Sequence, residues 1–399
     1  MNEQDIARVM QEYVDNQEMP GGALIVRKND AVVYDRTWGY ANLSTRAPVQ
    51  DDTIYRMASM TKCVIGVAVM KLIEQGLMQL DDPVSRFIPS FKNLRVANDP
   101  LYQKYSPPNI LFSFLFMRMD GVKTVAANRE VTIRDLLSHA SGLEQGVVGM
   151  VGMLKFRSRK DTLQQRIDRY TRFVLDFQPG TSTSYSPCAS FDTLGYILEL
   201  VSGIKVGEYL QKKVFEPLEM GDATFHPNAE QALRVAPTYK RRGKKLIDVT
   251  GTRNDIDFLI CRGTGDDYVA GSGGLYCTVK DYEHLARMLC NEGIYNGRRF
   301  LKSETVRLMH TEAQQQHLEP EPGFTWGLSV KIRQDPVRGK TPATAGTYGW
   351  SGAPGTHFFV SPADRLEAVF ATNRSDLGGA SSYISLKVEE LVFGIWAEK

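Results

Sequence analysis

Long apolar stretches are missing from this chain of 399 residues. Its longest mainly apolar run covers residues 110–117, far short of the roughly 20 residues that a membrane-spanning helix needs. Residues 1–6 contain neither the basic segment nor the apolar segment of a secretory signal. We therefore expect a protein of the cytoplasm that has no membrane partner.

An excess of charge of one sign is missing too. The formal net charge is +2, from 48 Lys and Arg against 46 Asp and Glu. Such a balance creates no strong field that would attract nucleic acid, and we expect no nucleic-acid partner. The one dense basic run, at residues 240–245, is interpreted as a solvated hairpin or loop.

Disulfide and metal patterns are also absent. The five cysteines are odd in number and widely spaced, with no CxxC: Cys63, Cys188, Cys261, Cys277 and Cys290. This pattern predicts reduced, mostly buried thiols. The six histidines show no HExxH or similar ligand spacing, so we expect no metal site and no cofactor.

Strand patterns occur near both ends of the chain, and helical patterns fill its middle. Strands are predicted at residues 23–27, 31–34, 54–57, 326–332, 357–360 and 367–371. Helices are predicted at residues 4–17, 62–76, 191–201 and 382–396, and one more begins at Thr132 with Asp135 as its capping-box partner. The fold class is therefore α/β (α+β).

The simplest packing joins residues 1–80 and 256–399 in one lobe, an antiparallel sheet flanked by helices. Residues 81–255 then form a second, mainly helical lobe. A cleft between two lobes is a common place for an active site.

Ser59 and Lys62 stand three residues apart at the start of an apolar helix. This spacing puts both side chains on one helix face. A serine hydroxyl needs a base to become a nucleophile, and a desolvated lysine can be that base. The pattern is weak alone, since Ser202 and Lys205 repeat it where a helix ends. The strand-to-helix junction and the apolar helix behind it favour Ser59.

Other serine-hydrolase signals are weaker. No GxSxG motif is present, and residues 349–353 come close but end in alanine. His139 directly follows a predicted helix and is interpreted as a structural residue, so it is not a convincing member of a Ser-His-Asp triad.

Four ordered stretches resemble the class C β-lactamase and penicillin-recognising serine hydrolase superfamily. The first is Ser59-Met60-Thr61-Lys62, and the second covers residues 131–143. The third is residues 178–181 followed by Tyr185-Ser186, and the fourth covers residues 271–278. Together they extend over nearly the whole chain.

The resemblance implies a β-lactamase/transpeptidase-like fold. It also implies that Ser59 is acylated, that Lys62 exchanges its proton, and that Tyr185 is a second general acid or base. By the same resemblance, the backbone N–H groups of Ser59 and Ala353 form the oxyanion hole.

Two departures point to one branch of the superfamily. Tyr185-Ser186-Pro187 stands where β-lactamases have Tyr-x-Asn, and Trp350-Ser351-Gly352 stands where they have Lys-Thr-Gly. This pattern is similar to the family VIII carboxylesterases, and it makes Trp350, Ser351 and Gly352 candidate substrate-binding residues. For Trp350, core packing is the alternative.

We therefore expect an acyl-enzyme carboxylesterase acting on small to medium esters. The alternatives are an amidase or D-amino-acid peptidase, an acyltransferase, a weak β-lactamase, and a non-catalytic ligand-binding protein. The aromatic residues 111–116 are predicted to be core of the helical lobe, with the lining of an acyl or alcohol pocket as the second hypothesis.

Overall fold

The structure is a computed structural model. It describes residues 1–99, 102, 107–118, 121–156, 158, 160–259, 268–314 and 318–398.

An eight-stranded antiparallel sheet is the centre of the fold, with the strand order β12-β13-β14-β15-β16-β1-β2-β3. Strands from both ends of the chain meet in it, because β1 pairs with β16 so that Leu24 lies opposite Phe370. The strands are β1 (Gly21–Lys28), β2 (Ala31–Asn42), β3 (Ala47–Pro48), β12 (Phe324–Trp326), β13 (Lys331–Arg333), β14 (Tyr348–Gly352), β15 (Thr356–Ser361) and β16 (Leu366–Thr372). The predicted antiparallel sheet is confirmed.

The remaining strands form short two-stranded ribbons. They are β4 (Tyr55–Arg56) with β9 (Tyr276–Cys277), β5 (Arg95–Ala97) with β6 (Thr124–Ala126), β7 (Tyr239–Arg242) with β8 (Lys245–Asp248), and β10 (Ile294–Tyr295) with β11 (Arg298–Arg299). The basic run at residues 240–245 lies in the β7–β8 hairpin, as predicted.

Helices cover both faces of the sheet and make up most of the middle of the chain. They are α1 (Glu3–Asp15), α2 (Thr61–Glu74), α3 (Pro107–Phe116), α4 (Ile133–Leu137), α5 (Val147–Phe156), α6 (Leu163–Tyr170), α7 (Ala189–Ser202), α8 (Val206–Leu210), α9 (Ala229–Arg234), α10 (Ile256–Leu259), α11 (Val279–Cys290), α12 (Ser303–Met309), α13 (Pro336–Gly339) and α14 (Tyr383–Trp396). The division into two lobes at residues 80 and 255 stays a prediction.

The alternation of β1 separates two hydrophobic clusters, because neighbouring residues of a strand point to opposite faces. Ala23 and Ile25 belong to a cluster with α2, α7 and α11. Leu24 and Val26 belong to a second cluster with α1 and α14. Helix α2 is buried almost all round, as its apolar sequence predicts, and it places Ser59 at the end of the larger cluster.

Local signals place several helix ends correctly. The Thr132 side chain accepts from the Asp135 N–H, and the Asp135 side chain accepts from the Thr132 N–H, so the capping box is confirmed. Gly203 adopts the left-handed conformation that ends α7.

The predicted strand over residues 326–332 is wrong, because β12 and β13 are separated by a tight turn. The Gly327 N–H donates to the Val330 carbonyl, and Ser329 has a φ of 71°. The Ser329 N–H donates to the Leu137 carbonyl, so the turn bonds to the helical segment instead of continuing a strand. The alternation of apolar residues with Gly327, Ser329 and Lys331 is typical of a strand, and it concealed this hairpin.

Two smaller predictions differ from the structure. Helix α1 ends at Asp15 instead of residue 17, because Gln17 takes a positive φ of 52°. The strand predicted at residues 54–57 is present as β4, but it pairs with β9 and lies outside the large sheet.

The aromatic stretch is the clearest error. Of the side chains described at residues 112–116, Phe112 is 53% and Phe116 is 67% exposed, whereas Ser113 is buried. Helix α3 packs against α5, and the side chains of Phe112, Phe114 and Phe116 are nevertheless exposed. The prediction that this stretch is core is therefore wrong.

The described cysteines Cys63, Cys188, Cys277 and Cys290 form no disulfide, and the first three are buried. Cys261 lies outside the described residues. No helix in the described ranges is long and apolar enough to cross a membrane.

Candidate active site

Ser59 lies in a single 3-10 turn, Ala58–Met60, that joins β4 to α2. The residue before this turn is bonded to a distant segment, since the Met57 N–H donates to the Leu275 carbonyl at 2.9 Å. Ala58 has a φ of 46°, a left-handed conformation that costs a residue with a Cβ roughly 1–3 kcal/mol. Strain of this kind is often found beside reactive residues.

Two side chains converge on the Ser59 hydroxyl. The Tyr185 phenol donates to Oγ of Ser59 at 2.6 Å. Nζ of Lys62 lies 3.4 Å from the same oxygen. The three predicted catalytic residues are therefore brought together, although Tyr185 comes from the loop before α7.

Lys62 is 1% exposed and is held by the backbone. Its Nζ donates to the carbonyls of Pro187 and Ser272, each at 2.7 Å. It also lies 5.0 Å from the centroid of the Tyr185 ring, within cation–π range. Sequence reasoning missed both carbonyls, because a backbone acceptor has no signature in residue type.

Pro187, which stands where β-lactamases have the asparagine of Tyr-x-Asn, contributes its backbone carbonyl to the site. The loss of asparagine from Tyr185-Ser186-Pro187 removes a side-chain amide near the lysine. In the structure, the carbonyl of the residue at that position accepts from Lys62. The lysine therefore keeps an oxygen acceptor on this side without an asparagine.

The loop that carries Tyr185 is bonded to residues 139–145. The Ser186 N–H donates to Nδ1 of His139 at 3.1 Å, and the Ser186 hydroxyl donates to the Leu143 carbonyl at 2.9 Å. The Gln145 side-chain amide donates to the carbonyls of Ser184 and His139. This explains why the stretch at residues 131–143 accompanies the tyrosine motif.

His139 has a structural place in this arrangement. Burial, with Lys62 adding to the effect, lowers the pKa of His139 well below its usual value. The ring is therefore neutral, and its Nδ1 is occupied by the Ser186 N–H. It lies behind Tyr185, with ring centroids 4.9 Å apart. The interpretation of His139 as structural agrees with this position.

Aromatic rings form one wall of the site. The Trp350 ring lies 5.1 Å from the Tyr185 ring and 4.7 Å from the Trp326 ring, measured between centroids. Trp326 also lies 4.4 Å from His139. Sequence reasoning missed Trp326, because it was assigned only as the first residue of a predicted strand.

Strand β14 passes directly beside the turn that carries Ser59. A Cβ on Gly352 would overlap the Met57 carbonyl, and the Thr356 hydroxyl donates to that same carbonyl at 3.1 Å. Ala353 follows Gly352 in the turn to β15. This close approach needs glycine, and it brings Ala353 to the Ser59 side. The oxyanion hole of Ser59 and Ala353 stays a prediction.

Ser351 points away from Trp350, because the two are neighbours on one strand. Its hydroxyl lies 2.7 Å from Nδ1 of His357, and Nε2 of His357 lies 2.8 Å from Oε1 of Glu389. Glu389 also contacts Arg333. Burial, with Arg333 adding to the effect, lowers the pKa of His357 to about 3. The hydroxyl is thus engaged, and any Ser351 contact to substrate comes from its backbone.

Within the described ranges, no group of three or more His, Cys, Asp or Glu side chains is placed to hold a metal ion.

Comparison with known proteins agrees with this geometry. The family model described as Beta-lactamase matches residues 6–387. The chain belongs to the beta-lactamase family. The resemblance inferred from the four motifs is thereby confirmed.

Within this family, curated relatives differ in their names. Esterase EstB of Burkholderia gladioli is 25% identical, over 96% of this chain and 93% of its own. A putative D-alanyl-D-alanine carboxypeptidase of Escherichia coli (strain K12) is 24% identical, over 89% of this chain and 78% of its own.

A solved structure of this fold is similar over nearly the whole chain. It is EstCE1, a hydrolase with promiscuous acyltransferase activity. The TM-score is 0.78 and the identity is 23%, with 98% of each chain covered. At this identity the likeness shows the fold, and the fold prediction is confirmed.

Proposed function

We propose that this chain is a serine hydrolase that forms an acyl-enzyme at Ser59 and acts on carboxylic esters of small to medium size. One observation carries the proposal: the Tyr185 phenol and the Lys62 ammonium both lie within 3.4 Å of a single serine hydroxyl. A serine with two proton-exchanging partners is the arrangement that nucleophilic catalysis requires.

The acylation step requires that the Tyr185–Lys62 pair has first lost one proton to solvent, so that it can accept another. Oγ of Ser59 then bonds to the ester carbonyl carbon as its proton passes to the pair. The carbonyl oxygen becomes an oxyanion, which the N–H groups of Ser59 and Ala353 would stabilise. The carbon–oxygen bond to the alcohol then breaks, and the pair returns the proton to the leaving alcohol. The acyl group remains on Ser59.

Deacylation repeats these steps with water as the nucleophile. Water loses a proton to the Tyr185–Lys62 pair as it attacks the acyl carbonyl. The bond to Oγ breaks, Ser59 regains its proton, and the acid leaves. The exposed side of Tyr185 and Ser59, both only partly buried, leaves room for substrate and water.

The preference for esters rests on the two altered motifs. Trp350 presents an aromatic ring beside Tyr185, in place of the cation that would pair with a β-lactam carboxylate. Pro187 offers a carbonyl to Lys62 but no side-chain amide to a substrate amide. The name of the relative esterase EstB supports the same branch. Trp350 and the backbone of Ser351 and Gly352 are the proposed substrate contacts.

Location and partners belong to this proposal as well. A place in the cytoplasm is supported by the buried cysteines Cys63, Cys188 and Cys277, which form no disulfide, as is usual in a reducing compartment. The proposed partner is a small-molecule ester or amide.

The test compares wild type with Ser59→Ala on p-nitrophenyl esters from acetate to octanoate. We expect saturable hydrolysis by wild type that vanishes in Ser59→Ala, with a chain-length profile that reports the size of the acyl pocket. A serine-directed phosphonate should label wild type at Ser59 and leave Ser59→Ala unlabelled. The matched control is Ser202→Ala, which alters the other serine that has a lysine three residues later.

Each other outcome selects an alternative. Equal activity of Ser59→Ala excludes Ser59 as the nucleophile. Phosphonate labelling without ester turnover favours an amidase, a peptidase or a weak β-lactamase. Transfer of the acyl group to added alcohols or amines, in preference to water, identifies an acyltransferase. A folded wild type that neither labels nor turns over is a binding protein.

A further inference from the structure

Two buried carboxylates bond to the backbone segments that surround Lys62. Glu144 is 4% exposed, and Asp192 is 0% exposed. Within the described part of the chain, neither carboxylate forms a hydrogen bond or an ion pair with the Lys62 ammonium. Each is connected instead to one of the two carbonyls that accept from Nζ of Lys62.

The first connection runs through the start of α7. Oε2 of Glu144 accepts the N–H groups of Cys188 at 2.9 Å and Ala189 at 2.6 Å. Pro187, whose carbonyl accepts from Lys62, immediately precedes Cys188. Glu144 therefore fixes the backbone that presents this carbonyl, and it satisfies N–H groups that a helix leaves unpaired at its first turn.

The second connection runs through the glycine-rich loop. Oδ1 of Asp192 accepts the Ser272 N–H at 3.0 Å, and the Ser272 carbonyl accepts from Lys62. Oδ2 of Asp192 accepts the hydroxyls of Tyr170 at 3.1 Å and Tyr268 at 3.4 Å. These bonds leave Asp192 little freedom to move, so Ser272 is held at both its N–H and its carbonyl.

We propose that Glu144 and Asp192 are positioning residues that hold Lys62 at the Ser59 hydroxyl through the carbonyls of Pro187 and Ser272. The inference rests on the proposed function for its kinetic consequences only. Its structural part is that Glu144 and Asp192 hold the two carbonyls that accept from the Lys62 ammonium, and no asparagine side chain of the described residues is involved.

The charges around Lys62 agree with this role. Burial raises the pKa of Glu144 to about 7. The hydrogen bonds from the Ala189 and Cys188 N–H groups lower this pKa, but their effect is smaller than that of burial. Burial also raises the pKa of Asp192, against the attraction of Arg166. The titratable and charged groups that face this region are His139, Glu144, Arg166, Tyr170, Tyr185, Cys188, Asp192 and Tyr268.

Since burial without a partner is costly for a carboxylate, keeping two of them here needs the N–H bonds and the nearby cations that the structure contains. At pH 8, above its pKa, Glu144 carries a negative charge, which strengthens its hydrogen bonds to the Cys188 and Ala189 N–H groups.

The test uses Glu144→Gln, Glu144→Ala and Asp192→Asn, with Asp255→Asn as the matched control. Asp255 is also buried and accepts a backbone N–H, from Gly251 at 2.7 Å, but it lies outside the lysine's surroundings. Gln and Asn keep the size and one acceptor oxygen of the original side chain, so they retain the fold even where Glu144→Ala does not.

The first readout needs no substrate. Trace acetylation of lysines at pH 8, followed by peptide mass spectrometry, measures the reactivity of Lys62 against that of exposed Lys212 in the same sample. We expect Lys62 to react several-fold faster in Glu144→Gln and Asp192→Asn, because a neutral amide bonds the backbone N–H groups more weakly than a carboxylate, and the two carbonyls then hold the Lys62 amine less firmly. Wild-type reactivity in both variants would overturn the proposal, whether or not the protein hydrolyses esters.

The second readout separates positioning from simple packing. In Glu144→Ala we expect kcat to fall about 10²-fold, the effect of a misplacement near 1 Å, with KM within about threefold. Glu144→Gln should recover most of kcat but move the acid limb of the pH profile to lower pH. Asp255→Asn should leave kcat, the pH profile and Lys62 reactivity as in wild type. A pH profile that none of these substitutions moves would contradict the role.

Discussion

The ring of Trp350 packs against the ring of Tyr185, with centroids 5.1 Å apart and planes inclined by 45°. The tryptophan that replaces a cation in the last motif therefore contacts the proposed proton carrier directly. Ser351, the next residue, bonds to His357 on the other face of the sheet. Strand β14 thus directs Trp350 toward the site and Ser351 toward the buried residues on the opposite face of the sheet.

This arrangement predicts that substitutions at Trp350 and Ser351 differ in their effects on kcat/KM and on Tm. Trp350→Ala removes rings from Tyr185 and Trp326, pairs worth about 0.5–1.5 kcal/mol each, and we expect kcat/KM to fall about tenfold. Ser351→Ala removes one hydrogen bond, worth about 1 kcal/mol, and should lower Tm while leaving kcat/KM within about twofold. Ester kinetics and thermal melting of both variants check this. Equal kinetic effects would contradict it.

The Tyr185 hydroxyl is expected to matter for chemistry and little for stability. In Tyr185→Phe the ring still packs against Trp350, but the 2.6 Å bond to Ser59 is lost. We expect kcat to fall by about 10²–10⁴-fold, the usual contribution of a general acid or base. The control is Tyr55→Phe, whose hydroxyl is buried without a hydrogen-bond partner among the described residues. Ester kinetics and melting curves of the two variants test this prediction. A fully active Tyr185→Phe would show that Tyr185 has no part in the mechanism.

Gly352 should tolerate no side chain. In Gly352→Ala the new Cβ overlaps the Met57 carbonyl and the Thr356 hydroxyl, so β14 must move away from the turn that carries Ser59. Overpacking of this kind costs about 1–3 kcal/mol, and a shift near 1 Å lowers kcat about 10²-fold. Gly221→Ala is the control, since its Cβ would meet nothing within 4 Å. Activity and Tm measured together test this, and an unchanged kcat in Gly352→Ala would refute it.

Glu367 makes stability depend on pH. Burial, with Glu283 adding to the effect, raises the pKa of Glu367 well above its usual value of 4.5. Because the folded-state pKa is the higher one, the stabilising contribution is fully present below pH 4.5 and is lost as the pH rises toward the raised pKa. Glu367→Gln keeps a neutral side chain, so we expect its Tm to equal wild type near pH 4 and to exceed it by about 2 °C or more at pH 8.

Melting curves from pH 4 to 9 measure this difference, with Glu304→Gln at an exposed helix position as the control. A gap between Glu367→Gln and wild type that stays constant across this range would show that Glu367 does not titrate as described.

Local features of the sequence were predicted well. Each depends on residues close together in the chain: the Thr132–Asp135 capping box, the end of α7 at Gly203, the buried helix α2 and the Ser59–Lys62 spacing. The failures came where a local pattern had two outcomes. An alternating segment fits one strand or a tight hairpin, as at residues 326–332, and an aromatic helix fits a core or an exposed face, as at Phe112 and Phe116.

By itself, the sequence determined that Ser59 and Lys62 lie together, because a three-residue spacing at a helix start places two side chains on one face without help from the rest of the chain. Only the tertiary structure decided what surrounds them. Tyr185 reaches Ser59 across 126 positions, and Lys62 is held by two backbone carbonyls that no residue type announces. Glu144 and Asp192 bond to the same backbone, because folding brings the start of α7 and the glycine-rich loop together around Lys62. Residue spacing along the chain does not predict such contacts between distant segments.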